Sequence, residues 1–545
     1  MAYYPSQPPI EERIWLASDD ISSLQSRISA GERYMEDLEE QMERLKSTYD
    51  AQISELTRRK NAKAIEVASI KNLLSPICRI PVEVLSKIFE LSCSPGHEFY
   101  PSYNIVRHTF VISKVCLSWR KTAHATPKIW SRLCLSLPEH SRALTRNVVW
   151  VREWLSRSRG VPIELYLNFP ELYQTLLDGM SQLLEYVVGF RHQIQFIQLS
   201  GHPTCFRPIF DLPASSLPSL EVAIFQMSME SLDNFLPNTQ IRAFSDAPKL
   251  YRAEILEPVS ASMLGPLSLP AEQLVSLKID TSPTLVLFSP FVYVGFLQRC
   301  KNLVSLQIKP SSAFGFSSTV SITLPSLRSL QITCHPLPMT QGVGLLHCLD
   351  VPLLQDLTLS LYGIDTQDFS RDITGLRSHC VSASQLASLT ITIGWMRLSA
   401  DLTSVLALFP ALSSLRIWRI GFDVNPLLRT MTHSRDHPVL LPKILDLELS
   451  FNPPSANKPP YPFELVSMIL SRSWPRTGTQ CNADTNSHAV EDVGVRKLHR
   501  IQVYGHILEQ ADQERIAEFT GLTFRNAALE DQNLKKMTDP YNMYT

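Results

Sequence analysis

The sequence predicts a multidomain α and α/β chain: a long N-terminal helix, a small all-helical block, and an irregular solenoid of parallel strands with outer helices. Three observations carry this reading. Apolar residues recur every seven positions through a charged N-terminal stretch. A compact block rich in aliphatic residues, Pro and Trp follows over 77–135. Beyond it, a phrase L-x-x-L-x-I/L returns to nearly the end of the chain.

Residues 1–20 hold Pro5, Pro8 and Pro9, which break regular structure, and are expected to form a disordered tail. From there Ile21, Ile28, Met35, Met42, Tyr49 and Leu56 fall seven apart, and Leu24, Leu38 and Leu45 fill the partner positions. Gly31 and Gln52 are the exceptions. The spacing predicts a coiled-coil helix over 21–74, self-associating or partner-bound through 21–56; a single helix that frays or folds back is the alternative. Alternating Glu, Asp, Arg and Lys keep its other faces wet. At 1.5 Å per residue such a rod is roughly 80 Å long. Pro76 restricts Ser75 and ends it.

Over 80–89 the sequence reads IPVEVLSKIF. Pro81 suits the first turn, and Val84, Leu85, Ile88 and Phe89 recur on one side of a short amphipathic helix. A second stripe runs through Val111, Ile112, Val115, Trp119 and Ala123, and a third through Trp130 and Leu133 in PKIWSRL. Three helices of this size are expected to share one core, with 92–108 an irregular connection.

These residues resemble an F-box domain of the F-box-like kind common in basidiomycete fungi. The likeness rests on Ile80, Pro81, Glu83, Val84, Leu85, Ile88 and Phe89, then Val115, Cys116, Trp119, Arg120 and Ala123, and finally Pro127, Trp130 and Leu133. Ile80 stands where the family places a leucine. The resemblance implies an adaptor over 76–135 that docks onto a Skp1-type linker and, through it, a cullin and a RING subunit of a ubiquitin ligase. The rest of the chain would hold a protein substrate. Ile80, Pro81, Val84, Leu85, Ile88, Phe89, Val115, Trp119 and Trp130 would then form either the linker-binding face or the core behind it. A small helical subdomain with a filled core, and no such partner, is the other reading of the same residues.

Helix-like 147–157, a turn at Arg159 and Gly160, and strand-like 161–167 open the next region, and helix, turn, strand recurs at 183–199. The repeated phrase begins at Leu217, Leu274, Leu303, Leu327, Leu354, Leu386, Leu412 and Ile444, with a weaker copy at Leu498 and a damaged one over 248–255. From Leu274 to Ile444 the starts step by 29, 24, 27, 32, 26 and 32 residues. A constant core phrase with variable spacing predicts stacked units over 145–525, with helices at 291–300, 343–349, 402–409 and 463–469, a closing helix at 509–519 and a tail over 526–545. This resembles the leucine-rich-repeat-like region that follows the F-box in many such proteins, without the asparagine that regular repeats place after the strand. Alternation turns the leucines inward and sets Lys278, Gln307, Gln331, Thr358, Thr390 and Arg416 outward, as candidates to face substrate. Buried strands of an ordinary α/β domain are the alternative.

Lys and Arg number 51 against 52 Asp and Glu, so neither nucleic acid nor an anionic membrane is expected as a partner. Ten scattered cysteines with no C-x-x-C suggest reduced thiols. With no signal-like start and no long apolar window, a cytoplasmic or nuclear chain is expected. No P-loop, zincin, serine-hydrolase or dinucleotide motif occurs. His433 and His437 are four apart in a loop, a weak metal signal, and Arg142, Arg146, Arg152, Arg157 and Arg159 read as a solvated helix face. Hence no cofactor, metal or catalytic residue is expected. An adaptor needs none, because it acts by proximity. A coiled-coil and repeat scaffold outside ubiquitin ligation is the main alternative, and an enzyme a distant third.

Overall fold

The heptad stretch forms one helix, α1 (Ser18–Leu74, 57 residues), opening three residues before Ile21. Asp19 and Asp20 in its first turn and Lys71 in its last complement the helix dipole. Ion pairs one turn apart lace its surface, Glu55 with Arg58 and with Arg59 at 2.7 Å each and Glu66 with Lys63 at 2.8 Å. The hydrogen bonds from Arg58 and Arg59 hold the Glu55 carboxyl below the usual range.

The computed structural model describes residues 18–74, 76–93, 104–136, 149–169, 177–227, 240–257, 262–281, 290–309, 321–334, 344–362, 374, 385–394, 399–434, 438–451, 462–472, 495–505, 510–517 and 522–527. Residues 1–17, the larger insertions between repeats, Arg142, Arg146, His437 and residues from 528 on lie outside them. The chain divides into two compact units, Met1–Leu85 and Ser86–Thr545, with the boundary inside helix α2 (Val82–Ser92). Pro81 precedes α2 rather than lying in its first turn. Its carbonyl accepts from the Leu85 N–H at 3.0 Å, so it supplies the first acceptor of the helix.

The second stripe of the helical block is two helices, α3 (Asn104–Lys114) and α4 (Leu117–Ala125). The chain breaks at Val115 and Cys116, where the cysteine sulfur caps α4 by accepting from the Trp119 N–H at 3.4 Å. Residues 104–108, expected to be irregular, are therefore helical. The third expected helix is a 3₁₀ turn (Pro127–Trp130) followed by strand β1 (Arg132–Ser136). Leu133, Cys134 and Leu135 are all buried, so β1 has cover on both faces and lacks the alternation that marks a strand.

From β1 the chain winds a single sheet. Its strands are β2 (Ile163–Phe169), β3 (Ile194–Gly201), β4 (Val222–Met227), β5 (Arg252–Glu257), β6 (Ser276–Thr281) and β7 (Ser305–Lys309). After a minor strand β8 (Ile322–Thr323), which pairs with another, β10 (Leu349–Asp350), come β9 (Ser329–Cys334), β11 (Asp356–Tyr362) and β12 (Ser388–Gly394). The last four are β13 (Ser414–Ile420), β14 (Asp446–Phe451), β15 (Arg500–Tyr504) and β16 (Thr523–Ala527). Fourteen of these form one sheet in chain order, each pair parallel. Every copy of the repeated phrase is a strand of it. The phrase puts its leucines and isoleucines on the inner face: Leu277, Ile279, Leu306, Ile308, Leu330 and Ile332 are at most 1% exposed. Its leading residue closes the turn before several of the strands, as when Leu303 donates to Cys300 and Leu327 to Leu324.

Helices stack beside one another in the same sequence, Ser399–Leu406 against Asn425–Met431, that against Glu464–Arg472, and that against Gln510–Ala517. The architecture is thus a long helix, a small helical block and a large parallel sheet flanked by helices. No helix of the described residues is long and apolar enough to cross a membrane.

Two buried ionisable side chains fasten this body. Arg472, 1% exposed, ends its helix by donating to the carbonyls of Met431 (2.8 Å), Leu441 (3.0 Å) and Leu440 (2.7 Å). Burial pulls its guanidinium down to about 10. Arg472→Ala is expected to cost about 2–5 kcal/mol, because three carbonyls lose the guanidinium's hydrogen bonds, two of them on the buried residues Met431 and Leu441. Lysine should not restore it, since one ammonium cannot reproduce the planar fork. Urea unfolding of both variants checks this; a wild-type midpoint for Arg472→Lys would contradict it.

Glu257, at the end of β5 and 2% exposed, accepts from the Met263 N–H (2.6 Å), the Tyr293 hydroxyl (2.7 Å) and the Ser262 hydroxyl (2.9 Å). Burial nevertheless raises its pKa above the ordinary 4.5, with these donors acting in the opposite sense. The folded state therefore holds this proton more tightly than the unfolded one. The stability it contributes is fully present below pH 4.5 and is lost as pH rises through the folded value. Glu257→Gln is expected to flatten the fall in urea midpoint above pH 4.5. An unaltered slope would contradict the assignment.

Candidate docking surfaces

Helix α2 is apolar on two faces. Leu85 (3% exposed) and Phe89 (1%) turn inward, whereas Val84 (50%), Ile88 (42%) and Leu91 (65%) lie one and two turns apart on the other face. Phe89 meets the half-buried Trp119 with ring centroids 5.1 Å apart. Trp130 is fully buried, its indole N–H donating to the Ala123 carbonyl at 2.7 Å. Val115 is 55% exposed, as is Val111, and Leu117 is 64% exposed. Pro81 is exposed and Ile80 half-buried. The nine residues proposed from sequence thus separate: Leu85, Phe89 and Trp130 fill core, whereas Val84, Ile88 and Val115 lie open. The stripe expected to bury Val111 and Val115 does not form: α3 buries Ile105, Val106, Thr109 and Ser113, which leaves Val111 on its outer side, and Val115 lies in the break before α4.

Sequence reasoning missed Leu91 and Leu117. The available signal was excess: α2 has more apolar residues than one buried face needs.

The block is anchored by aromatic packing. Trp130 meets Trp154 edge-on at 4.8 Å, Phe110 meets Trp154 at 5.3 Å, and the Arg157 guanidinium lies over the Trp130 ring at 4.5 Å. The Trp154 indole donates to the Arg132 carbonyl of β1 at 3.2 Å. Arg157, expected to be a solvated charge, is therefore structural. Beside this joint lies a cleft of about 340 Å³. Leu91 lines it together with charges that meet in pairs, Lys87 and Lys128 on Glu90 at 3.2 and 3.6 Å and Arg132 on Glu164 at 2.8 Å.

The second surface is the outward face of the sheet. Register aligns Glu254, Lys278, Gln307, Gln331, Thr358, Thr390, Arg416 and Glu448 in one row across successive strands. Lys278, Gln307, Gln331 and Thr358 are half-buried and Arg416 is exposed. Thr390 is only 5% exposed, contrary to expectation, as is Thr392 at 4%. Each is a short side chain beside a long one, Arg416 and Trp418 respectively, which leaves little of it to solvent. Charge concentrates toward the ends of the row. Lys278 lies 3.9 Å from Glu254, and Arg416 lies 3.4 Å from Glu448, which also accepts from the Trp418 indole at 2.9 Å. Between them the row is amide and hydroxyl. Such a surface can select a partner through hydrogen bonds, and nothing in it pairs a nucleophile with a base. Among the described residues no group of three or more His, Cys, Asp or Glu could hold a metal.

No family model matches the sequence, and no curated protein matches it. A solved structure described as "Crystal structure of TLR13-ssRNA13 complex" matches over 70% of this chain at 14% identity, with a TM-score of 0.24. The chain spans 59% of the length of that one, and a likeness this slight carries no argument about fold or function.

Proposed function

We propose that the chain is a substrate-recognition adaptor of an SCF-type ubiquitin ligase, an F-box-like block docking on a Skp1-type linker and a leucine-rich-repeat-like sheet holding a protein substrate. One observation carries most of this reading: α2 keeps Val84, Ile88 and Leu91 bare on a stripe beside that of its core residues, with Val115 and Leu117 also open. Exposed aliphatic residues on short helices are what a helical partner buries. Supporting it, Trp130, Trp154 and Arg157 tie the block from Ser86 onward to the first strands, inside one compact unit. A receptor that works by proximity requires such stiffness between its two docking surfaces.

Hydrogen exchange of the full chain with and without a purified Skp1-type linker tests the proposal. Protection concentrated at 82–92 and 111–119 is the expected result. Protection confined to the sheet strands, or none, would favour a scaffold outside ubiquitin ligation.

A further inference from the structure

The seam of α1 is bare along its length. Its a positions from Ile21 to Leu56, together with the d residues Leu24, Leu38 and Leu45, are 40–69% exposed. Exposure alone does not say what covers a seam, but the charges beside it do. In a parallel, in-register pair each g residue faces the e residue five positions on in the other helix. With Ile21 as a, this sets Arg27 against Glu32 of the second copy and Glu55 against Lys60 of the second copy, each twice by symmetry. The other facing pairs, Asp20–Gln25, Tyr34–Glu39, Gln41–Lys46 and Thr48–Ile53, contain no like charges. The antiparallel arrangement of full overlap, with Ile21 level with Gln52, instead opposes Glu32 to Glu39 and Asp20 to Glu55.

The pairing within the chain points the same way. Glu55, Lys63 and Glu66 have ion-pair partners on α1, as do Glu40 and Glu43 with Arg44 and Lys46, whereas Arg27, Glu32 and Lys60 make no ion pair among the described residues. Three of the four residues that would bridge two copies are thus uncommitted. Gly31 is a d position without a side chain, and a Cβ added there is accepted without a clash in the helix.

We infer that α1 pairs with a second copy of this chain, parallel and in register, over residues 21–60. The two chains then leave the coil at the same end, tethering two sheet faces and two helical blocks. Tethering of this kind raises avidity for a partner with two contact points. It is independent of what the helical block binds.

Sedimentation equilibrium of the full chain at tens of micromolar tests the inference. The expected mass is twice the 61.6 kDa of one chain. Gly31→Leu should tighten the dimer by filling the seam. Glu32→Lys should weaken it about tenfold by opposing Arg27 of the second copy, and Arg27→Glu added to Glu32→Lys should restore it. In the antiparallel arrangement Glu32→Lys would tighten association, because it removes the clash with Glu39. A monomeric mass, or a Glu32→Lys dimer as tight as the wild type or tighter, overturns the inference. Circular dichroism checks that each variant keeps its helix.

Discussion

Trp130→Ala is expected to destabilise the protein by about 3–5 kcal/mol, the range for removing a large aromatic from a core. The indole is fully buried, donates to Ala123, meets Trp154 edge-on at 4.8 Å and carries Arg157 over its face at 4.5 Å. Removing it opens a cavity and leaves Arg157 without the ring beneath it. Trp130→Phe should cost less, because most of the area remains and the Ala123 carbonyl still accepts from the Thr126 N–H at 3.1 Å. Urea unfolding followed by far-ultraviolet circular dichroism and tryptophan fluorescence measures both. If Trp130→Ala moves the midpoint no further than a surface substitution does, the aromatic cluster is not the joint between the block and the sheet.

Val84→Asp combined with Ile88→Asp is expected to reduce affinity for a Skp1-type linker by about 100-fold or more, from two buried aliphatic contacts replaced by charges at an interface centre. Stability should hardly change, since both side chains are already about half exposed. Leu85→Asp differs in kind. At 3% exposure the carboxylate would enter a core, so loss of binding there would report unfolding rather than a lost contact. Titration of the linker onto the folded double variant reads the effect. Unchanged affinity would place the linker on another surface.

The parts legible in the sequence were those with a strong period. The heptads over 21–56 located α1 and Pro76 its end, and the L-x-x-L-x-I phrase located the repeated strands because its leading leucine and its two alternating apolar positions are all buried. Even the copy over 248–255, which reads as damaged, is the strand β5: Ala253 replaces a leucine and pairs in register with another buried alanine, Ala223. Small residues there accompany the bulky Phe225 and Phe244, whose rings meet at 5.0 Å.

Where burial was two-sided, the period vanished. Strand β1 has three consecutive buried residues and follows a 3₁₀ turn, so its apolar spacing suits a helix equally well. The break at Val115 and Cys116 depends on a cap formed by a cysteine sulfur, a weak acceptor that composition does not flag. Within the candidate surface, sequence located helix α2 but could not divide its faces, because Val84, Leu85, Ile88 and Phe89 are all aliphatic or aromatic and only packing decides which are covered. Thr390 takes the expected row but not the expected exposure, for a related reason: alternation fixes which face a side chain takes, whereas its exposure depends on the length of its neighbours.

One glycine that the sequence pattern does not single out is fixed by the backbone. Gly201 has φ +125°, and a Cβ there would lie 1.9 Å from the Phe169 carbonyl oxygen of the adjacent strand. No other residue fits where β3 leaves the sheet.

The most direct test of the account is a calorimetric titration of a purified Skp1-type linker onto the full-length chain. The account expects one linker per chain with micromolar or tighter affinity, whether or not the chains are paired through α1. A chain shown by circular dichroism to be folded that takes up no linker at tens of micromolar would contradict the adaptor function and leave the two surfaces as those of a scaffold.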